Sequence, residues 1–321
     1  MSLSVGIVGL PNAGKSTLFN ALASRRLAET AARPFTTIDP HEAVVAVPDT
    51  DLEKLSQLIK PEKTVPATVT FIDIAGLVKG AHKGEGLGNQ FLGKIKEVSA
   101  IVHVVRAFKN PEVTHVHATH EPGSLEQVLD DIEIVNIELE LGGIVGKPVI
   151  YVLNAGENAI DDILIYHTKV KEKFAGDVVT ISAKLEEELI DLEPGERKEY
   201  LKESKIEESG LEKLIKSAYQ LLGLITFYTI KGGKEVHAWS LKNGSKAIDA
   251  AGEVHTDFAR NFIKAEVVQV NKLLELGGPA RNATHSVAGG WKEAKEKGLI
   301  KLEGKDCIVQ NKDVIEFKIG I

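Results

Sequence analysis

A glycine-rich segment near the start of the chain has the residue types and spacing of a phosphate-binding loop. The pattern GxxxxGK[ST] is satisfied by Gly9-Leu10-Pro11-Asn12-Ala13-Gly14-Lys15-Ser16-Thr17. Glycines let such a loop turn its backbone N–H groups toward phosphate oxygens, and the following helix adds its positive N-terminal end. Lys15 would neutralise the β and γ phosphates, and Ser16 would ligate Mg²⁺. The pattern predicts a nucleoside triphosphate site whose contacting residues are Asn12, Ala13, Gly14, Lys15, Ser16 and Thr17.

Such a site needs a second contact to the metal and a group that senses the γ-phosphate. Asp73-Ile74-Ala75-Gly76 follows a predicted strand at residues 69–73. Asp73 would hold Mg²⁺ through water, and the N–H of Gly76 would lie near the γ-phosphate. Between the two motifs, either Thr36 or Thr37 could ligate Mg²⁺ when the γ-phosphate is present, and their residue type alone does not choose between them. The glycine-rich segment at 76–93 predicts a loop that responds to that phosphate.

The base-binding motif departs from the one that reads guanine. Asn154-Ala155-Gly156-Glu157 follows a predicted strand at 149–153, where guanine-specific proteins carry NKxD. The aspartate of NKxD accepts two hydrogen bonds from guanine, whereas here the lysine is replaced by Ala155 and the carboxylate of Glu157 is one methylene longer. We expect a displaced carboxylate to lose guanine discrimination. After the next predicted strand, a second base-contacting loop is supplied by Ser182, Ala183 and Lys184.

Alternating strands and amphipathic segments must position these motifs. Apolar strand candidates at 3–8, 43–47, 69–73, 101–105, 149–153 and 178–181 predict a mostly parallel α/β domain. A helical stretch occupies 184–222. After Gly223, strand candidates at 226–230, 236–240, 262–268, 307–309 and 314–319 indicate a separate α+β domain, with a loop at 276–290. We therefore predict a nucleotide-binding domain at 1–223 and a second domain at 224–321.

Composition restricts the class of protein and its partners. The chain has 321 residues, 43% of them hydrophobic, one cysteine and a net charge of −7. No apolar run approaches the roughly 18 to 20 residues of a membrane span, and the start does not read as a signal peptide, so we expect a cytoplasmic protein with no membrane contact. The net charge argues against DNA binding. Residues 225–321 carry 15 Lys and Arg against 12 Asp and Glu, which weakly favours this part for contact with RNA.

With these motifs, the chain resembles the YchF/Obg-like ATPase family nearly end to end. The signatures lie at residues 6–20, 35–40, 71–81 and 84–91, together with the NxxE base motif. The resemblance implies a P-loop domain of the G-domain type that prefers ATP to GTP, with Thr37 as the metal ligand. It also implies that Asn154 and the backbone of Ala155 address the adenine, and that residues 225–321 form a ubiquitin-like TGS domain.

The resemblance further implies how hydrolysis occurs. Signalling GTPases place a water-orienting glutamine directly after the DxxG glycine, but here Leu77 follows Gly76. The family is credited with a histidine instead, which His115 matches, although a solvated loop containing His117 and His120 is the alternative. The predicted catalytic residues are thus Lys15, Thr37, Gly76 and His115. Asn12 matches the asparagine of P-loop proteins that use K⁺, which makes K⁺ stimulation a hypothesis.

One feature departs from the family pattern, which has a long coiled-coil arm between the strand that ends near Val105 and the strand before the base motif. Here the segment near 125–147 passes through Gly142-Gly143 almost at once to Pro148, so the arm is strongly reduced. The predicted function is a Mg²⁺-dependent ATPase switch that acts with the ribosome or its RNA in translation or stress regulation. The alternatives are a GTPase of the Obg type and a nucleotide-gated RNA- or ribosome-binding module with negligible turnover.

Overall fold

The computed structural model describes residues 3–30, 41–74, 87–156, 160–204, 206–276 and 287–320. Its strands are β1 (Ser4–Val8), β2 (Glu42–Ala46), β3 (Lys63–Val65), β4 (Thr68–Asp73), β5 (Ala100–Ala107), β6 (Val149–Ala155), β7 (Asp177–Ile181), β8 (Leu224–Lys231), β9 (Glu235–Lys242), β10 (Phe262–Gln269), β11 (Lys301–Glu303) and β12 (Asp313–Ile319). Its helices are α1 (Lys15–Thr30), α2 (Thr50–Ile59), α3 (Leu87–Glu97), α4 (Leu125–Leu141), α5 (Ile160–Lys173), α6 (Ala183–Ile190), α7 (Pro194–Glu203), α8 (Gly210–Leu221), α9 (Ala247–Val254), α10 (Thr256–Arg260), α11 (Val270–Leu276) and α12 (Val287–Glu296).

The chain divides into two compact units. The first contains Met1–Ala46 and Val69–Leu222, and the second contains Val47–Thr68 and Gly223–Ile321. The break at residue 222 lies beside the predicted boundary. The segment 47–68, which the sequence analysis assigned to the first domain, instead belongs with the second unit. The reason is that β3 pairs with β9, with Thr64 opposite Val236, a long-range pairing that local periodicity cannot reveal.

The first unit is built on a six-stranded sheet of order β2-β4-β1-β5-β6-β7. The pairs β1–β4, β1–β5, β5–β6 and β6–β7 are all parallel. This confirms the predicted parallel α/β architecture. Because parallel strands end at the same edge of a sheet, the carboxyl ends of β1, β4, β5, β6 and β7 are brought together at the edge where the site is predicted.

Two apolar clusters attach helices to this sheet. Ile101 and Val8 pack with Phe91 and Ile95 of α3 and with Val135 of α4. A second cluster joins Val105, Leu153 and Ala155 of the sheet to Val128 and Ile132 of α4 and to Ile163 and Val170 of α5. Each fully buried aliphatic side chain contributes about 1.5 to 3 kcal/mol, so α4 is fixed firmly against β5. From α4, the chain passes through residues 142–148 directly to β6, which confirms the short connection in place of a long arm.

The second unit has a mixed six-stranded sheet of order β11-β10-β12-β8-β9-β3. On one face, Phe227, Leu241 and Ile315 pack with Ala247 and Ala250 of α9. Toward the other face, the side chain of Tyr228 is fully buried, and its hydroxyl donates to Oδ2 of Asp49, 2.8 Å away. Asp49 also caps α2, because its Oδ1 accepts from the N–H groups of Asp51 and Leu52. The segment 47–68 is thus built into this unit by both backbone pairing and a partly buried hydrogen bond.

Two local predictions for this unit were wrong, and one strand was not predicted. The predicted strand at 307–309 is an isolated bridge between Ile308 and Lys246. The short strand β11 was not foreseen, since three residues leave almost no alternating pattern. The predicted loop at 276–290 is helical at residues 287–290, where α12 begins, while 277–286 lie outside the described residues. Among the described helices, none has the length and apolarity to cross a membrane.

Candidate functional site: a phosphate loop clamped by neighbouring loops

The loop between β1 and α1 has a backbone that only glycine tolerates at two positions. Gly9 and Gly14 have φ of 153° and 97°. A Cβ on Gly9 would lie 2.3 Å from the carbonyl oxygen of Val104, and one on Gly14 would lie 2.1 Å from Nδ2 of Asn154. Asn12 also has a positive φ of 62°, a conformation that asparagine tolerates better than most residues. The glycines of the motif are therefore required by close approach of β5 and β6.

Lys15, the first residue of α1, turns its side chain inward. Its Nζ donates to the carbonyl oxygen of Leu10 at 2.7 Å, and the residue is only 9% exposed. Burial lowers the pKa of Lys15 from 10.5 to about 8, partly offset by the negative charge of Asp73. A desolvated ammonium inside a loop of backbone N–H groups gains strongly from an incoming phosphate, because the anion replaces the solvation that burial removed.

Two of the predicted metal ligands, Ser16 and Asp73, are among the described residues. Ser16 is exposed on the first turn of α1, and Asp73 ends β4, where it is opposite Ile7 of β1. A hydroxyl and a carboxylate are oxygen donors of the kind that Mg²⁺ takes alongside phosphate oxygens and water. The described residues contain no group of three or more His, Cys, Asp or Glu able to hold a metal by themselves. The donor set therefore fits Mg²⁺ brought in with a phosphate better than an all-protein metal cage.

Asn154 connects the phosphate loop to the base-binding loops. Its Nδ2 donates to the carbonyl oxygen of Ala13, and its Oδ1 accepts from the N–H of Ala183, each at 3.0 Å. The side chain is buried at the end of β6, so both bonds are shielded from water. Asn154 is thus a clamp that holds two loops in register, and its two polar atoms are used by protein groups.

The other residues of the base motifs serve different purposes. Ala155 is buried in the cluster beneath α4 and α5, so no cation stands where NKxD proteins carry lysine. Ser182 caps α6, because its Oγ accepts from the N–H of Leu185 at 3.3 Å. Lys184 is exposed and forms an ion pair with Glu188 at 3.6 Å. The predicted residues Thr37, Gly76 and Glu157 lie outside the described residues, as do residues 76–86 of the predicted loop at 76–93. Residues 87–93 are helical in α3, so the loop prediction was wrong there.

The loop after β5 is organised by a buried arginine that the sequence analysis did not single out. Arg106 donates to three carbonyl oxygens of this loop, those of Phe108, Asn110 and Val113, at 3.2, 2.9 and 2.8 Å. Burial lowers the pKa of Arg106, and the charge of Asp131 opposes that effect. A single arginine within an apolar strand has no motif around it, so only its burial in the structure reveals this role.

This loop contacts the phosphate loop and contains His115. Nδ2 of Asn12 donates to the carbonyl oxygen of Thr114 at 3.0 Å. The side chain of His115 is only 5% exposed, and its Nε2 lies 2.9 Å from Oδ2 of Asp131 on α4. Its Nδ1 accepts from the N–H of His117 at 3.2 Å. The structure therefore places the predicted catalytic histidine next to the phosphate loop, but with both ring nitrogens bonded to protein groups.

Asp131 and Gln127 form the other half of this arrangement and were also not predicted as site residues. Nε2 of Gln127 donates to Oδ1 of Asp131 at 2.7 Å, while its Oε1 accepts from the N–H groups of Thr119 and His120. Burial raises the pKa of Asp131, and the hydrogen bonds from His115 and Gln127 act in the opposite direction. The sequence shows that Gln127 and Asp131 are four residues apart and would share one face of a helix. It does not show which groups of the loop they would bond.

The fold and the loop define a P-loop nucleotide-binding protein. Residues 4–155 match a family model described as 50S ribosome-binding GTPase, and residues 224–320 match the C-terminal YchF GTPase model, described as a protein of unknown function. The proteins named ribosome-binding ATPase YchF from Bacillus subtilis and Escherichia coli O157:H7 are 40% and 36% identical, with all of each chain covered. The structure entitled Schizosaccharomyces pombe YchF GTPase is 28% identical with a TM-score of 0.78, over 99% of this chain and 98% of that one.

The chain belongs to the YchF family, as its sequence predicted. The alignment to the Bacillus subtilis relative extends over 386 positions, whereas the present chain has 321 residues. At least 65 aligned positions therefore have no residue in this chain. This agrees with the short connection between α4 and β6.

Proposed function

We propose that this protein is a Mg²⁺-dependent ATPase switch that acts in the cytoplasm with the ribosome or its RNA. The observation that carries the proposal is the glycine loop around the buried ammonium of Lys15, beside Asp73 at the end of β4. The relatives named ribosome-binding ATPase, which are aligned over their full length, support both the reaction and the partner. DNA and membranes are not among the proposed partners.

The proposed reaction transfers the γ-phosphoryl group of ATP to water. Ser16, Thr37 and Asp73 would hold Mg²⁺, which supplies charge neutralisation for the phosphates when bound. Lys15 neutralises charge on the β and γ oxygens, and the N–H of Gly76 binds a γ oxygen. The loop groups around Lys15 are fixed by close packing, so they need little rearrangement to meet the developing charge. Since Leu77 cannot orient water, His115 is the proposed group for that step, and turnover by the isolated protein should be slow.

Selection of adenine is proposed to follow from the base motif. Asn154 is occupied in clamping two loops, and Ala155 contributes backbone but no cation. The longer carboxylate of Glu157 would not superpose on the aspartate that reads guanine. Ser182, Ala183 and Lys184 would form the other side of the base site. K⁺ stimulation through Asn12 also stays a prediction, and the hydrogen bond from its Nδ2 to Thr114 leaves its oxygen for such a contact.

Two observations favour alternatives. The family model and the solved relative both carry the word GTPase, which favours a GTPase of the Obg type. The engagement of both nitrogens of His115 favours a binding module with negligible turnover. Lys15 and the phosphate loop are common to all three functions, so they do not discriminate among them.

Equilibrium binding of ATP and GTP analogues with Mg²⁺, in K⁺ and in Na⁺ buffer, tests the proposal. We expect tighter binding of ATP, followed by measurable release of phosphate from ATP and less from GTP. Tighter binding of GTP would overturn the adenine assignment and favour the Obg type. ATP binding without any phosphate release, with or without added ribosomes, would favour the binding module.

A further inference from the structure

The hydrogen bonds of His115 define which tautomer the ring adopts. Nδ1 lies 3.2 Å from the N–H of His117, a donor, so Nδ1 must carry a lone pair. The proton of the neutral ring is then on Nε2, which points at Oδ2 of Asp131 at 2.9 Å. A ring held in this way offers neither a free lone pair nor a free N–H to a water molecule, and its side chain is only 5% exposed.

The carboxylate that accepts this hydrogen bond is itself held rigidly. Asp131 is on the buried face of α4, where its side chain is 4% exposed. Its second oxygen accepts from Gln127, one helical turn earlier, and Gln127 accepts two backbone N–H groups of the loop that contains His115. The bond between His115 and Asp131 is therefore supported on both sides and shielded from water, which strengthens it.

The pair is also adjacent to the phosphate loop. Thr114, the residue before His115, accepts a hydrogen bond from the side chain of Asn12. On the other side of His115, the N–H of His117 donates to Nδ1 of His115, and the N–H groups of Thr119 and His120 donate to Oε1 of Gln127. A rearrangement of the phosphate loop would reach His115 through the hydrogen bond between Asn12 and Thr114.

We propose that Asp131 is a positioning residue that holds His115 in a buried storage position and thereby limits ATP turnover until the pair separates. The inference rests on the proposed ATPase function and on the part of His115 in it. Separation breaks the bond between Nε2 and Asp131, so the ring leaves α4 and its Nε2–H can donate a hydrogen bond to water. The control over turnover thus lies in a carboxylate that does not itself contact the nucleotide.

Reaction of histidines with diethyl pyrocarbonate, followed residue by residue by peptide mass spectrometry, tests the storage position in the intact chain. In the unaltered protein, His115 should react much more slowly than His120, whose side chain is 49% exposed. Asp131→Asn keeps the shape of the side chain but has a single acceptor oxygen, so its NH₂ group must face a donor, either Nε2–H of His115 or Nε2 of Gln127, and the bond to His115 is no longer charge-assisted. We expect it to raise the reaction rate of His115 about tenfold, since charge-assisted bonds are roughly twice as strong as neutral ones.

The matched control is Asp130→Asn, one residue earlier on the same helix. Asp130 bonds Thr119 and lies 3.5 Å from His120, but has no bond to His115. This variant should leave both the reactivity of His115 and the rate of ATP hydrolysis unchanged. If it raises them as much as Asp131→Asn does, general loosening of the loop explains the effect, and the assignment to Asp131 is wrong.

The rate of phosphate release from Mg²⁺-ATP then tests whether the buried position of His115 limits turnover. Asp131→Asn should raise the rate about tenfold, and the gain should disappear in the double variant with His115→Ala. Equal reactivity of His115 and His120 in the unaltered protein would overturn the proposal without any variant. If Asp131→Asn raises the reactivity of His115 but leaves ATP turnover unchanged, the proposal that Asp131 controls hydrolysis is wrong. A preference for GTP in the binding assay would instead count against the proposed function, and the reactivity measurement would still decide the role of Asp131.

Discussion

Burial of the charge of Lys15 should destabilise the nucleotide-free protein, and Lys15→Met should remove that penalty. A pKa lowered from 10.5 to about 8 means that the charged form costs about 3 kcal/mol in the folded state at neutral pH. The variant also loses the hydrogen bond from Nζ to Leu10, which contributes about 1 kcal/mol. We therefore expect Lys15→Met to be about 2 kcal/mol more stable than the unaltered protein at pH 7, although it should no longer bind ATP.

The contribution of Lys15 to stability should depend on pH, and the direction of that dependence follows from its lowered pKa. The folded pKa of Lys15 lies below the unfolded one, so between about pH 8 and 10.5 the unfolded state binds more protons and the stability of the unaltered protein rises with pH. Below about pH 8 both states are protonated, and the penalty is constant. The advantage of Lys15→Met should accordingly be full at pH 7 and shrink as the pH rises through 8 toward 10.5.

Guanidinium unfolding followed by far-UV circular dichroism, without nucleotide, measures the difference. Both tryptophans of the chain, Trp239 and Trp291, lie in the second unit, so their fluorescence reports whether that unit is unaffected. Lys184→Met is the matched control, because this lysine is exposed and should change stability by less than about 0.5 kcal/mol. A lower unfolding midpoint for Lys15→Met than for the unaltered protein at pH 7, or a difference independent of pH, would refute the reasoning.

Two further substitutions test the clamp and the composition of the second unit. Asn154→Ala leaves a buried carbonyl at Ala13 and a buried N–H at Ala183 without partners, so we expect a loss of about 2 to 4 kcal/mol in unfolding experiments together with weaker ATP binding. Asn136→Ala, which removes a single bond to Tyr151, is its control and should cost about 1 kcal/mol, so equal losses would contradict the clamp. Tyr228→Phe removes the bond to Asp49 and should lower the tryptophan-detected stability by about 1 kcal/mol without changing ATP affinity. An unchanged midpoint would mean that segment 47–68 is not fastened to the second unit through this bond.

The sequence was sufficient to locate the phosphate site because the relevant information is local. The spacing from Gly9 to Ser16 encodes a loop whose glycines are required by close packing, and the strand before it and the helix after it follow from periodicity within a few residues. The alternation of strand and helix segments predicted a mostly parallel sheet, although not its strand order, and the few residues before Pro148 predicted the short connection after α4.

Tertiary structure decided the features that depend on distant residues. The sequence predicted that residues 47–68 belong to the first domain, whereas the pairing of β3 with β9 places them in the second unit. Asn154 looked like a base-contacting residue, and the structure adds that both of its polar atoms clamp loops 141 and 29 residues away in the chain. Arg106, Gln127 and Asp131 carry no motif, and the sequence could not show that they bury their polar groups around His115. Hydrophobic periodicity reports which face of an element is buried, but only folding determines which polar groups meet inside, because a hydrogen bond requires atoms to be placed within a few tenths of an ångström.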